Sequence, residues 1–204
     1  MADKEIVVTY GVLSERTEVE KRTGITPDIV TRLKRSGVAC VVEQGVGLDA
    51  HFTDADFEKA GARVATRDEV IASSDVLGFV GRPSEDTLTS TKPGTWVIGA
   101  LQSFTDEAYV DSLKQRGLTA VAMERLPRQL AQSMDEMTSQ NSVTGYKAVL
   151  KAADAYGSFF PMMTTAAGTI RPAKVLVLGA GIAGLQAIGT AKRLGAVVTA
   201  YDVR

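Results

Sequence analysis

The run Val175-Leu176-Val177-Leu178-Gly179-Ala180-Gly181-Ile182-Ala183-Gly184 carries three glycines in G-x-G-x-x-G spacing. An apolar strand pattern precedes it, and a helix-like stretch, Ile182 to Leu194, follows. That context gives the motif its meaning: Gly179 permits the tight turn out of the strand, Gly181 lets backbone approach a pyrophosphate, and Gly184 lets helix pack on strand. The helix start, with Ala180, Ile182 and Ala183 around it, offers free N–H groups and a positive dipole end to phosphate. A second strand, Val197 to Tyr201, ends in Asp202, 18 residues past Gly184. An acid at about 20 residues is placed to accept hydrogen bonds from a ribose, and it repels a 2′-phosphate, which favours NAD(H) over NADP(H). Taken alone, Asp202 reads equally as a strand-end cap or a solvated acid. FAD enzymes usually carry the motif at the chain start with a Glu after the second strand, and methyltransferases space their glycines more loosely; neither pattern matches as well.

The remaining chemistry-bearing residues are few. One cysteine, Cys40, and one histidine, His51, cannot make a disulfide framework or a Cys/His metal site. Cys40 lies in the apolar run Val38–Val42 and reads as a core filler, His51 as a surface residue beside a turn. The net charge of −1 gives no reason to expect a nucleic-acid or anionic-membrane surface. The start is polar, with no signal core. The least polar stretch, Val175 to Ala191, is too short and glycine-rich for a membrane span. A cytoplasmic location is the default expectation.

The elements that position the motif alternate in type. Strands are expected at Ile6–Val8, Val38–Glu43, Val76–Val80, Trp96–Ile98 and Leu118–Met123. Helices are expected from Pro27, capped by Thr26, to Gly37, with Ile29, Val30 and Leu33 on one face; at Asp54–Ala60; and at Glu107–Arg116. Such alternation argues for an α/β fold with a parallel sheet covered on both faces. Glu124 to Ser142 has no strand pattern, Val143 to Phe160 reads as a long helix, and Thr164 to Pro172 reads as a loop. The expectation is two doubly wound, Rossmann-like domains: residues 1–140, then 141–204 with a linking helix and the start of the nucleotide-binding sheet. A site of this type uses two mononucleotide halves, and only the first β-α-β unit falls within the sequence. The second domain is therefore expected to be truncated, with two apolar strands left without neighbours.

The segment Ala173 to Ile188, continuing through Leu194-Gly195-Ala196-Val197-Val198 to Asp202-Val203-Arg204, resembles the alanine dehydrogenase and transhydrogenase family. So do Thr165-Ala166-Ala167-Gly168, Glu20-Lys21-Arg22 with Thr26-Pro27, Glu43-Gln44-Gly45-Val46-Gly47, and Phe57 to Ala62. Alanine dehydrogenases carry a substrate lysine and a catalytic histidine where this chain has Phe79-Val80-Gly81-Arg82-Pro83 and Ile98-Gly99-Ala100-Leu101-Gln102; neither residue is present. The run Pro127-Arg128-Gln129-Leu130-Ala131-Gln132-Ser133-Met134-Asp135, followed by Gly145-Tyr146-Lys147-Ala148-Val149, resembles the transhydrogenase branch.

That resemblance implies an NAD(H)-binding component that passes hydride to NADP on a partner domain, with membrane-spanning partner subunits translocating protons. It also implies a homodimer docked at the cytoplasmic face. Arg128, Gln132 and Asp135 would hold the nicotinamide end, and Thr138 stands where a serine is common. Gly179 to Gly184, Asp202, Val203 and Arg204 would hold the adenosine side. The loop is one residue shorter than the family form between its Arg and Gln, and Leu130 replaces a second arginine. Read without relatives, Gln132 and Asp135 are equally well explained as solvated loop or helix-cap residues. Direct transfer between two nicotinamides needs positioning and no proton acceptor, which an amide, a carboxylate and a guanidinium can supply. Two other readings stand beside it: an amino-acid dehydrogenase with an altered site, and a non-catalytic nucleotide-binding or dimerisation module.

Overall fold

The computed structural model describes residues 8–127, 130 and 132–203, with Gln132 described by its backbone alone. The chain divides into two compact units, Met1–Leu126 and Pro127–Arg204. The expected domain boundary near residue 140 falls inside a helix of the second unit.

In the first unit, six strands form one parallel sheet: β1 Val8–Val12, β2 Val38–Glu43, β3 Arg63–Ala65, β4 Val76–Gly78, β5 Trp96–Gly99 and β6 Thr119–Ala122. Their spatial order is β3-β2-β1-β4-β5-β6. Helices α1 Pro27–Arg35, α2 Asp54–Ala60, α3 Arg67–Ser73, α4 Glu85–Ser90 and α5 Glu107–Gln115 connect them. Side chains alternate along each strand, so each strand feeds two cores. On β2, Val41 joins α3, α4 and α5 residues such as Val70, Leu88 and Tyr109 on one face. Cys40 and Val42 join Val30 of α1 and Phe57 of α2 on the other. Burial on both faces is why these strands read as continuous apolar runs. Cys40 is a core residue as expected, and burial pushes its thiol up to about 11.

Several sequence expectations need correction. Residue pattern alone puts the first strand at Ile6–Val8, but the described strand is Val8–Val12, and residues 6 and 7 lie outside the described ones. Thr26 occupies the N-cap of α1 with extended backbone, yet its side chain caps nothing; Pro27 starts the helix without it. Ile29 is 38% exposed, off the buried face that holds Val30. The short elements β3, α3 and α4 are additions to the expected set.

The second unit contains α6 Glu136–Ala155, a hairpin of β7 Met163–Thr165 and β8 Gly168–Ile170, then β9 Lys174–Leu178, α7 Ile182–Arg193 and β10 Val197–Tyr201. The expected helix Val143–Phe160 thus starts seven residues earlier, where Asp135 caps it, and ends before Gly157. The expected Thr164–Pro172 loop is mostly the antiparallel hairpin, in which Thr164 pairs with Thr169 and Thr165 with Gly168. Gly168, at φ +133, takes a backbone conformation that closes the two-residue turn and that L side chains rarely adopt. β9 and β10 pair in parallel, Val175 with Val198 and Leu178 with Tyr201. Val149, Phe160, Ala173, Ala191 and Ala196 form the core of this unit.

Candidate functional site

The glycine-rich turn lies where its spacing put it, between β9 and α7. Gly179 has φ +94, a conformation that excludes other residues, and its N–H donates to the Tyr201 carbonyl at 2.7 Å. A methyl group on Gly184 would collide with the Gly179 carbonyl oxygen, so α7 packs against the turn only because residue 184 lacks a side chain. A methyl on Gly181 would meet nothing within 4 Å. The requirement there is not internal packing; the open space beside this backbone is what a phosphate group approaching it needs. These three differences fit the three separate duties of a dinucleotide turn. No side chain caps the start of α7, which leaves its first N–H groups to be satisfied from outside the helix.

Asp202 follows β10 directly. Its carboxylate accepts the Ala180 N–H at 2.6 Å, so the structure brings Asp202 and the turn together. Val203, beside it, is 86% exposed. Arg204 lies outside the described residues.

The loop before α6 is described only partially. Arg128 lies outside the described residues, and of Gln132 only its place in a 3₁₀ turn, Gln132–Met134, is given. Asp135 is the N-cap of α6, accepting the Met137 N–H at 3.1 Å and the Thr138 hydroxyl at 2.7 Å. Asp135 and Thr138 therefore meet, in a contact that a helix cap alone explains.

Gly145 has a role that sequence reasoning missed. A Cβ there would strike the Ala183 carbonyl oxygen, so α6 crosses the glycine-rich turn at backbone contact. Ten residues separate Asp135 from Gly145, which puts the capped end of α6 about 15 Å along the helix from that crossing. A glycine in the middle of a helix, where it costs stability, was the available signal.

In the first unit, the segments that resemble the lysine and histidine positions are otherwise employed. The Gly81 N–H is bonded to Glu15 at 2.9 Å. Arg82 pairs with Asp106 at 2.6 Å and lies 3.7 Å over the Tyr109 ring. Leu101 is buried, and its N–H donates to Glu124. Burial alone would raise the Glu124 carboxyl, but the donors of Ser103 and Leu101 hold it below its usual value.

Two family models match the chain: the N-terminal domain of alanine dehydrogenase/PNT over residues 11–144 and its C-terminal domain over residues 148–204. The first of the polypeptides that make up NAD(P) transhydrogenase subunit alpha in Rhodospirillum rubrum is 45% identical over 197 residues, covering 93% of this chain and 51% of that protein. Alanine dehydrogenase of Mycobacterium tuberculosis is 31% identical, covering 95% and 53%. The crystal structure of transhydrogenase from Sinorhizobium meliloti superposes with a TM-score of 0.92 at 44% identity, covering 96% of this chain and 57% of that one. The chain thus spans about half the length of the relatives it matches. Its Rossmann-like architecture and both of its matched segments place it in the alanine dehydrogenase/PNT family.

Proposed function

We propose that this chain forms the NAD(H)-binding part of a proton-translocating NAD(P) transhydrogenase, contributing to a homodimer docked on membrane partners at the cytoplasmic face. The Asp202 carboxylate, 2.6 Å from Ala180 at the mouth of the glycine-rich turn, carries this reading. Gly179 to Gly184 and the first N–H groups of α7 would cradle the pyrophosphate. Asp202 would accept from the adenosine ribose, with Val203 and Arg204 beside it. About 15 Å away along α6, Asp135 and Thr138, with Arg128 and Gln132 of the preceding loop, would orient the nicotinamide. Bound NADH supplies the hydride, and a partner domain holding NADP would receive it. The chain's task is then alignment, for which no acid or base is needed.

Titration with NADH and with NADPH, followed by nucleotide fluorescence, tests the reading. Wild type should prefer NADH. Asp202→Ala should weaken NADH binding about tenfold or more, as expected for a charged hydrogen bond, and leave NADPH nearly unchanged. Equal losses for both nucleotides would mean that Asp202 only holds the Ala180 turn. The amino-acid dehydrogenase reading is favoured by the 31% relative, and NADH production from alanine or lysine would establish it.

A further inference from the structure

In the first unit, the order β3-β2-β1-β4-β5-β6 reverses direction between β1 and β4. Doubly wound sheets bind ligands in the crevice outside the carboxyl ends of the strands at such a point. A crevice of about 430 Å³ lies there, lined by Ser14, Thr17, Phe79, Ser84 and Thr87 among others. It already holds an anion. Glu15, three residues past β1, accepts the Val80 N–H at 2.6 Å with one carboxylate oxygen and the Gly81 N–H at 2.9 Å with the other.

Glu15 has no ion-pair partner among the described residues, and the arginines near it have other work. Arg67 donates to Glu43, Thr87 and the Ser14 carbonyl. Arg82 pairs with Asp106, Arg16 with Asp49, and Arg22 with Glu20. Two successive backbone N–H groups converging on one carboxylate are the arrangement of an anion nest. Burial raises the Glu15 carboxyl above its usual value while the two amides pull it down. That balance is the one expected for a charge moved from water into a backbone nest.

We propose that this crevice is a small-carboxylate site filled by the protein's own side chain, so that Glu15 takes the ligand's place and excludes external carboxylates. The inference is independent of the nicotinamide reading, because it concerns the first unit alone.

Acetate, with chloride at equal ionic strength as control, tests it on the full chain. In Glu15→Ala, amides within residues 79–84 should exchange with deuterium about tenfold faster than in wild type. Acetate should slow them again, and chloride should not; wild type should ignore both. Glu15→Asp keeps the charge but draws the carboxylate back, and should behave the same way if the alanine variant does not fold. Acetate acting no better than chloride on the variants would overturn the proposal. So would acetate protection of the wild-type amides equal to that in the variants.

Discussion

Leu77 and Leu176 occupy the same setting by sequence, the middle of a short apolar strand that pairs in parallel. Leu77 is fully buried, whereas Leu176 is 63% exposed. The contrast extends to their units. In the first, helices cover both faces of six strands. In the second, α6 and α7 back two strands whose other face carries Leu176, Leu178 and Tyr201, each more than 60% exposed. An apolar run in a strand thus records a demand for burial; neighbouring strands and helices decide whether the demand is met.

The largest expected effect breaks or confirms this comparison directly. Leu77→Ala should cost about 2–5 kcal/mol in urea unfolding followed by Trp96 fluorescence. Leu176→Ala, followed by circular dichroism, should stay within about 0.5 kcal/mol. A cost for Leu176 matching that for Leu77 would show that something covers the outer face of β9 in solution.

A middle-sized effect separates capping from ligand binding. Thr66 caps α3 in a reciprocal box, its N–H donating to Glu69 at 2.9 Å and its hydroxyl accepting the Glu69 N–H at 3.4 Å. Asp135 caps α6. Thr66→Ala and Asp135→Ala should each cost about 1 kcal/mol, and Asp135→Asn should restore the cap, since asparagine serves as well there. Should Asp135→Asn keep the stability yet lose NADH affinity, the carboxylate has a ligand role beyond the cap.

The smallest effect is a pH dependence. The hydrogen bond from Arg22, at 2.8 Å, lowers the Glu20 carboxyl from 4.5 to about 2. A depressed carboxyl contributes stability that is present above the usual value and lost as pH falls through the depressed one. The gap in melting midpoint between wild type and Glu20→Gln should therefore be open at pH 6 and close towards pH 2. The pair is exposed, so the gap should be small.

How much of this was legible in the sequence depended on range. β2, α2, β9 and β10 have the bounds that local periodicity gives. β3 is three residues long, too short for a period to register. α3 could have been found, because Thr66-x-x-Glu69 is a capping-box signature. The glycine-rich turn is a local motif and was readable, and so was its partner Asp202 at a fixed spacing. Glu15 was not readable: its donors are 65 and 66 residues away, and only the topology brings them together. For Asp135, sequence supplied two explanations, and the cap geometry is compatible with both.

The place of β1 in the sheet also has a consequence for how the protein is made. Tyr10 of β1 pairs with Cys40 on one side and with Val76 on the other. Its first edge can close early, but the second must wait for β4 to be synthesised, 66 residues after Tyr10. At about 5–20 residues per second, that leaves a bare central strand on the nascent chain for about 3–13 s. During that interval β1 offers unpaired backbone to any strand nearby, the state in which edge-to-edge aggregation begins. The reversal in strand order that creates the Glu15 crevice thus also sets the slowest closure in the sheet, so conditions that speed or shelter translation of this stretch should raise the yield of folded protein.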